Sequence, residues 1–288
     1  MLLLSRSLPV GGQAVIEGVL MKGPTKWGLC VRKPDGTLHN ESWPSWDMAS
    51  GHLYKIPFIR GLFIMFDMLK TGIRALNRSA EIALGDEETF GLMEIVTSVL
   101  LALLAVVGLF LFLPVWISDL TSEFFSLKGI YRDVIEGFAR AGIFAGYVGL
   151  IGLWKEIGTV FEYHGAEHKT INAYENEAVL SPEVISGYSR IHSRCGTSFL
   201  LVVVFVSIVV FSFIGDGSIM WRVISRFILL PLVIGISYEI IRFCSRSGIF
   251  GKIIMMPALS LQYLTTREPD LSQIEVAVSS LALALEEE

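Results

Sequence analysis

The sequence predicts a mainly α-helical integral membrane protein, with about four transmembrane helices, a small β-rich N-terminal cytoplasmic element and an amphipathic surface helix. Three observations lead there. Hydrophobic residues make up 52% of the 288-residue chain and charged residues only 18%, against about 25% in soluble domains. The apolar excess is concentrated in a few long uncharged runs, as a bilayer requires. The first fifty residues instead alternate and turn, with Gly and Pro at short intervals.

Residues 1–50 form the β-rich element. "QAVIEGVLMKGP" reads as one strand ending at Gly23-Pro24, and "GLCVRKPDGTLHNESW" as a hairpin turning at Pro34-Asp35-Gly36. Gly11-Gly12 reads as a turn, not a nucleotide loop. Residues 51–90 hold the amphipathic helix, Ile56–Ala83, which Arg60, Asp67, Lys70, Arg74 and Arg78 interrupt too often for a crossing; such a helix lies at the membrane surface.

Residues 91–256 form the transmembrane domain. Ile95–Ser118 carries no charge and matches the roughly 20 residues that cross hydrocarbon. Ala141–Trp154, extended through Lys155–Phe161, is the second crossing, its glycines letting helices approach closely. Thr197–Ile214 and Ile219–Ile241 are the third and fourth, joined by the short "FIGDGS". Residues 257–288 end in a cytoplasmic helix, with Asp270 at the N-cap and Gln273 at capping-box spacing.

Charge placement orients the chain. With four crossings, the N-terminus, the loop 155–196 and the C-terminus share one side, which holds eighteen of the 23 Lys and Arg. The opposite loop, Asp119–Arg140, holds three. The positive-inside rule makes the richer side the cytoplasm. The apolar run at the N-terminus is three residues long and broken at Arg6, too short for a cleaved signal. Cys30, Cys195 and Cys244 are odd in number and far apart, which is no disulfide framework. A net charge of −5 argues against nucleic acid as a partner; the bilayer is the partner expected.

The chemistry concentrates in "FEYHGAEHKTINAYENE". On a helix, His164 and His168 share one face and can reach one metal ion, zinc or another divalent transition metal. H-x-x-E-H is the inverted zincin spacing, with Glu167 as the base. An ordinary polar helix turn is the alternative. Three of the five His (His164, His168, His192) fall in this one loop, and "IHSRCGTSF" brings His192 and Cys195 to the start of the third crossing. A thiol at a helix N-terminus has a lowered pKa, so Cys195 or His192 is the expected third ligand. Glu175 lies seven residues beyond His168, about 10 Å along the helix, and ranks below them. Gly165 weakens the helix by about 1 kcal/mol relative to Ala and suggests a close backbone approach or a bent turn. Glu17 in "VIEGV" could face the metal or make a buried polar contact. Glu239 is an ionisable group near the end of the fourth crossing, with Arg242 as its simplest partner.

"GGQAVIEGVLMKGP", "FEYHGAEHKTINAYE", "RCGTSFL" and "LTTREPDLSQIEVA" together resemble the YqhQ-like family of bacterial membrane proteins. The resemblance runs along nearly the whole chain. It implies a multi-span protein of the bacterial cytoplasmic (inner) membrane with a predicted metal site, and it supplies no substrate. The family commonly has Pro where this chain has Ser193, which leaves the approach to Cys195 less rigid.

The expected function is therefore a metal-dependent, metalloprotease-like membrane hydrolase at the cytoplasmic face, acting on a membrane-associated peptide or lipid head group. A non-enzymatic scaffold whose structural metal is closed by four ligands is one alternative. A small transporter with Arg222, Arg226 and Glu239 lining a path is the other.

Overall fold

The computed structural model describes residues 10–45, 56–84, 92–193, 195–214 and 217–286. Four strands form an antiparallel meander in the order β1-β2-β3-β4: β1 (Gly11–Val15), β2 (Gly18–Lys22), β3 (Lys26–Arg32) and β4 (Leu38–Pro44). The β3–β4 hairpin turns where Pro34-Asp35-Gly36 predicts, with Gly36 at φ +84° and its N–H donating to the Lys33 carbonyl at 2.9 Å. The single strand expected before Gly23 is instead two. It reverses at Ile16-Glu17, where Glu17 takes φ +50°. Gly11 and Gly12 are accordingly the first residues of β1, not a turn.

Strand alternation gives the sheet two apolar faces. Val15, Leu20, Leu29 and Val31 pack on Ala75 of α1 (Ile59–Leu84). Val19, Met21 and Cys30 pack on Tyr163 and Ala166 of α5 (Lys155–Glu175) and on Ile274, Ala277 and Leu281 of α11 (Leu271–Leu285). Leu20, Leu29, Ile274 and Leu281 are fully buried, each contributing about 1.5–3 kcal/mol. Helix α11 starts at the expected capping box, Asp270 accepting from the Gln273 N–H at 2.8 Å and Gln273 Oε1 from the Asp270 N–H at 2.9 Å.

The rest is helical. An apolar rod runs through α2 (Leu92–Val106), a π-helical turn (Val107–Phe112) and α3 (Leu113–Phe125). Then come α4 (Ile130–Ile151), the short α6 (Pro182–Ser186), α7 (Gly196–Ser212), α8 (Ile219–Arg246), α9 (Gly248–Ser260) and α10 (Gln262–Thr265). Among the described residues three helical segments are long and apolar enough to cross a membrane: Val96–Phe125, Ile130–Ile151 and Ile219–Cys244. The 17-residue α7 is equally apolar but shorter. The second apolar segment begins eleven residues before the expected Ala141 and ends at Ile151, where a break at Gly152–Trp154 separates it from α5. Most of the expected loop Asp119–Arg140 is thus helix, split between α3 and α4.

Buried charge explains that difference. Glu136 on α4 accepts from Arg140 at 2.8 Å, from Arg222 at 2.5 Å and from Arg226 at 3.0 Å. Arg222 also pairs with Asp119 on α3, and Arg226 with Asp133 at 3.0 Å. The charges that read as a loop are neutralised between helices. Arg140 also repairs the backbone. Pro114 has no N–H for the Phe110 carbonyl four residues earlier, and Arg140 Nε donates to that carbonyl at 3.0 Å. Glu239 pairs with Arg60 of α1, not with Arg242, through Arg60 Nε at 2.7 Å. Helix α1 therefore ties the apolar helices to the sheet, holding α8 at one end and β1 through Gly72 and Ser79 at the other.

Candidate metal centre

Helix α5 presents His164 and His168 one turn apart, their ring centroids 4.4 Å apart. The segment leading to α7 is folded back onto this helix by the helix's own polar side chains. Lys169 donates to the Ser186 carbonyl at 2.7 Å, Asn172 to the Ser189 carbonyl at 2.7 Å, and His168 Nδ1 to the Arg190 carbonyl at 2.6 Å. On the other side an extended stretch after α10 crosses α5. His164 Nδ1 donates to the Thr265 carbonyl at 2.8 Å, and the Arg267 N–H to the Phe161 carbonyl at 2.8 Å. This crossing fits only because residue 165 is Gly; a Cβ there would collide with the Arg267 carbonyl oxygen. The close approach suggested by Gly165 is what the chain makes.

Carbonyls only accept, so both Nδ1 atoms carry protons and both Nε2 lone pairs are left for a ligand. That is the outer arrangement metal-binding histidines use. The Cys195 thiol, at the N-cap of α7, lies 3.2 Å from His164 Nε2. The ligand atoms of His164, His168 and Cys195 all lie within 4.8 Å of one another. Zinc bonds imidazole at about 2.0–2.1 Å and thiolate at about 2.3 Å, which holds such atoms roughly 3.6 Å apart in a tetrahedron. The three side chains fit a divalent metal of that kind.

Glu167 points into the same space, its Oε2 3.8 Å from His164 Nε2 and 3.7 Å from His168 Nε2. Burial pushes its carboxyl up to about 7, partly opposed by His164. Burial, with the charge of His164, holds His168 well below the usual imidazole range. The lowered thiol pKa expected of Cys195 is not found. Burial and the nearby Glu167 push it up to about 11, outweighing the hydrogen bonds from Thr197 and Ser198. A bound cation reverses that balance.

His192 does not join the group. Its ring Nε2 lies 3.4 Å from Glu175 Oε2. Gln262 clamps its backbone, accepting the His192 N–H at 2.8 Å and donating to the His192 carbonyl at 2.7 Å. Glu175 stays about two turns beyond His168, beside His192. Glu17 is not there either; its carboxylate accepts from Tyr163 Oη at 3.3 Å at the β1–β2 turn.

The sequence gives no sign of several supporting parts. The Thr265 and Arg190 carbonyls that fix the two rings lie 101 and 22 residues from them. Gly12 of β1 abuts Glu167. A Cβ there would meet Glu167 Cγ at 3.0 Å and the Leu20 carbonyl oxygen at 2.7 Å.

The model of a family described as "Protein of unknown function (DUF1385)" matches residues 56–287. The uncharacterized protein YqhQ of Bacillus subtilis (strain 168) is 35% identical over 287 residues, spanning 94% of this chain and 90% of that protein. No solved structure matches.

Proposed function

This chain belongs to the DUF1385 family, and from the geometry around its H-x-x-E-H helix we propose that it is a metal-dependent hydrolase working at a membrane surface. The observation that carries the reading is the convergence of His164 Nε2, His168 Nε2 and Cys195 Sγ beside the Glu167 carboxylate. Three ligands, with the His192 ring 5.8 Å from that of His168 but turned to Glu175, favour an open site over a closed structural one.

In this reading His164, His168 and Cys195 hold zinc or a similar divalent ion, which supplies Lewis acidity when bound. Glu167 takes a proton from the attacking water and returns it to the leaving group. Burial raises this carboxyl, and a bound cation would oppose that rise by favouring the charged form that accepts the proton. The missing side chain at Gly12 leaves room for the buried Glu167.

The membrane setting rests on the apolar helices. Along the first, Leu100, Leu101, Leu103 and Leu104 are all exposed, an apolar area far larger than soluble surfaces carry. Counting α7 gives four crossings, the first and second joined at Ser126–Gly129 and the third and fourth beside Gly217. The sheet, α5 and α11 then lie together on the Lys- and Arg-rich side, the cytoplasmic side of a bacterial inner membrane. Phe66, Leu69 and Ile73 line the exposed face of α1, which lies along that surface.

The test is metal content beside function. Wild-type protein purified without chelators should carry close to one equivalent of metal. His164→Ala and His168→Ala should lose it. Glu167→Gln should keep the metal and lose turnover, or lose complementation of a deletion strain. Full function in Glu167→Gln with inactive histidine variants would replace the hydrolase by a structural metal site. Metal-free wild type would end both readings.

A further inference from the structure

The sheet ends beside the candidate centre, and its last strand is open. The Gly23 N–H bonds to the Lys26 carbonyl across the β2–β3 turn, so the odd-numbered residues of β2 bond to β3. The even-numbered ones, Gly18, Leu20 and Lys22, then bond to Val15, Gln13 and Gly11 of β1. That parity turns the N–H and C=O groups of Gly12 and Ala14 outward. The next outward group, the Ile16 N–H, is taken by Ser79 Oγ at 3.1 Å. Among the described residues no strand pairs with β1 on its outer side, and Gly12 and Ala14 are half-buried rather than covered. Gly12, within this open stretch, is the residue that abuts Glu167.

We propose that β1 is the substrate-docking strand and that the substrate is a polypeptide in extended conformation. This rests on the hydrolase reading above and narrows its substrate class from peptide or lipid to peptide. The open stretch offers donors and acceptors in the alternating order of an extended backbone, which is how strand addition recognises its ligand. A phospholipid head group has no matching repeat of donors and acceptors. With Ser79 closing one end, the paired register is short, centred on Gly12 and Ala14, and it sets a backbone carbonyl of the guest beside Glu167. There the oxygen of water attacks the carbonyl carbon and the C–N bond breaks. The proton taken by Glu167 passes to the departing amine, and the second proton of the water, left on the new carboxyl group, follows it, giving a carboxylate and an ammonium group.

Ala14→Pro tests the edge. The ring removes an outward N–H and obstructs an incoming strand, while the β1–β2 bonds do not use that N–H. The probe is a fluorescein-labelled ten-residue peptide of alternating Val and Thr, bound to the Glu167→Gln protein in phosphatidylethanolamine–phosphatidylglycerol nanodiscs. A second probe is the same peptide N-methylated at its four central residues, which needs no change in the protein and decides the matter if Ala14→Pro fails to fold. The expected result is measurable binding that weakens about tenfold or more with either change, with metal content unaltered. No binding, or equal binding by all combinations, overturns the proposal. Release of phospholipid head groups by wild type that persists in Ala14→Pro also overturns it, by making the substrate a lipid. Absence of metal from wild type would remove the hydrolase reading alone, because peptide binding at the edge is measured without turnover.

Discussion

Glu167→Gln in metal-free protein should change how stability depends on pH, by an amount the burial of this carboxyl sets. The folded protein raises the group from the ordinary 4.5 to about 7. At about 1.4 kcal/mol per pH unit, that rise amounts to roughly 3 kcal/mol. The folded state binds the proton more tightly than the unfolded state. The contribution is therefore fully present below pH 4.5 and is lost as pH climbs through about 7. Glutamine has the same shape and does not titrate, so the difference between the two proteins isolates this one group from His168 and His192. Chelator-treated wild type and Glu167→Gln should be melted in the same detergent at pH 4.5 and pH 8. Glu167→Gln should gain on wild type by roughly 6–12 °C between the two pH values, at about 2–4 °C per kcal/mol for a chain of this order of size. Saturating zinc should shrink that gain, since a nearby cation favours the charged carboxylate. A gap that stays constant with pH would refute the placement of Glu167 as a buried carboxylate at the centre.

Cys195→Ser should lower zinc affinity at least tenfold in chelator competition, whereas His192→Ala should leave it near wild type, because the His192 ring faces Glu175. Gly165→Ala should lower the melting temperature despite a helix-propensity gain of about 1 kcal/mol. Its methyl group must displace the Arg267 carbonyl, and overpacking of this kind costs about 1–3 kcal/mol. Arg222→Leu should destabilise the protein by about 3–5 kcal/mol in denaturant titration, since it strips a buried partner from Asp119 and Glu136.

The sequence is most legible where one residue type has one physical use. The turn at Pro34-Asp35-Gly36, the capping box at Asp270 and the tight crossing at Gly165 all come from local rules. So does the pairing of His164 with His168, since four residues is one helical turn. The turn at Ile16-Glu17 has no such marker. Its two central residues are not Gly, Asn or Pro, its one glycine is Gly18 at the end, and a left-handed Glu17 is held by distant groups, the Tyr163 hydroxyl and the Arg32 N–H. The second apolar helix is misplaced for a related reason. Arg132, Asp133, Glu136 and Arg140 look like loop residues until their partners on α3 and α8 are known. The choice between Cys195 and His192 is likewise tertiary, made by Gln262 and Glu175.

The path of residues 265–267 over α5 also fixes when the centre can exist. His164 is oriented by a carbonyl 101 residues further along the chain. Ribosomes add about 5–20 residues per second, so His164 is made at least several seconds before its outer support is, whereas the Arg190 carbonyl that holds His168 follows within 22 residues. During that interval α5 has no Thr265 carbonyl for His164 and no α11 against its buried face. The hydrogen bond that orients His164 is thus absent from the nascent chain and forms only when its last third folds back onto its middle.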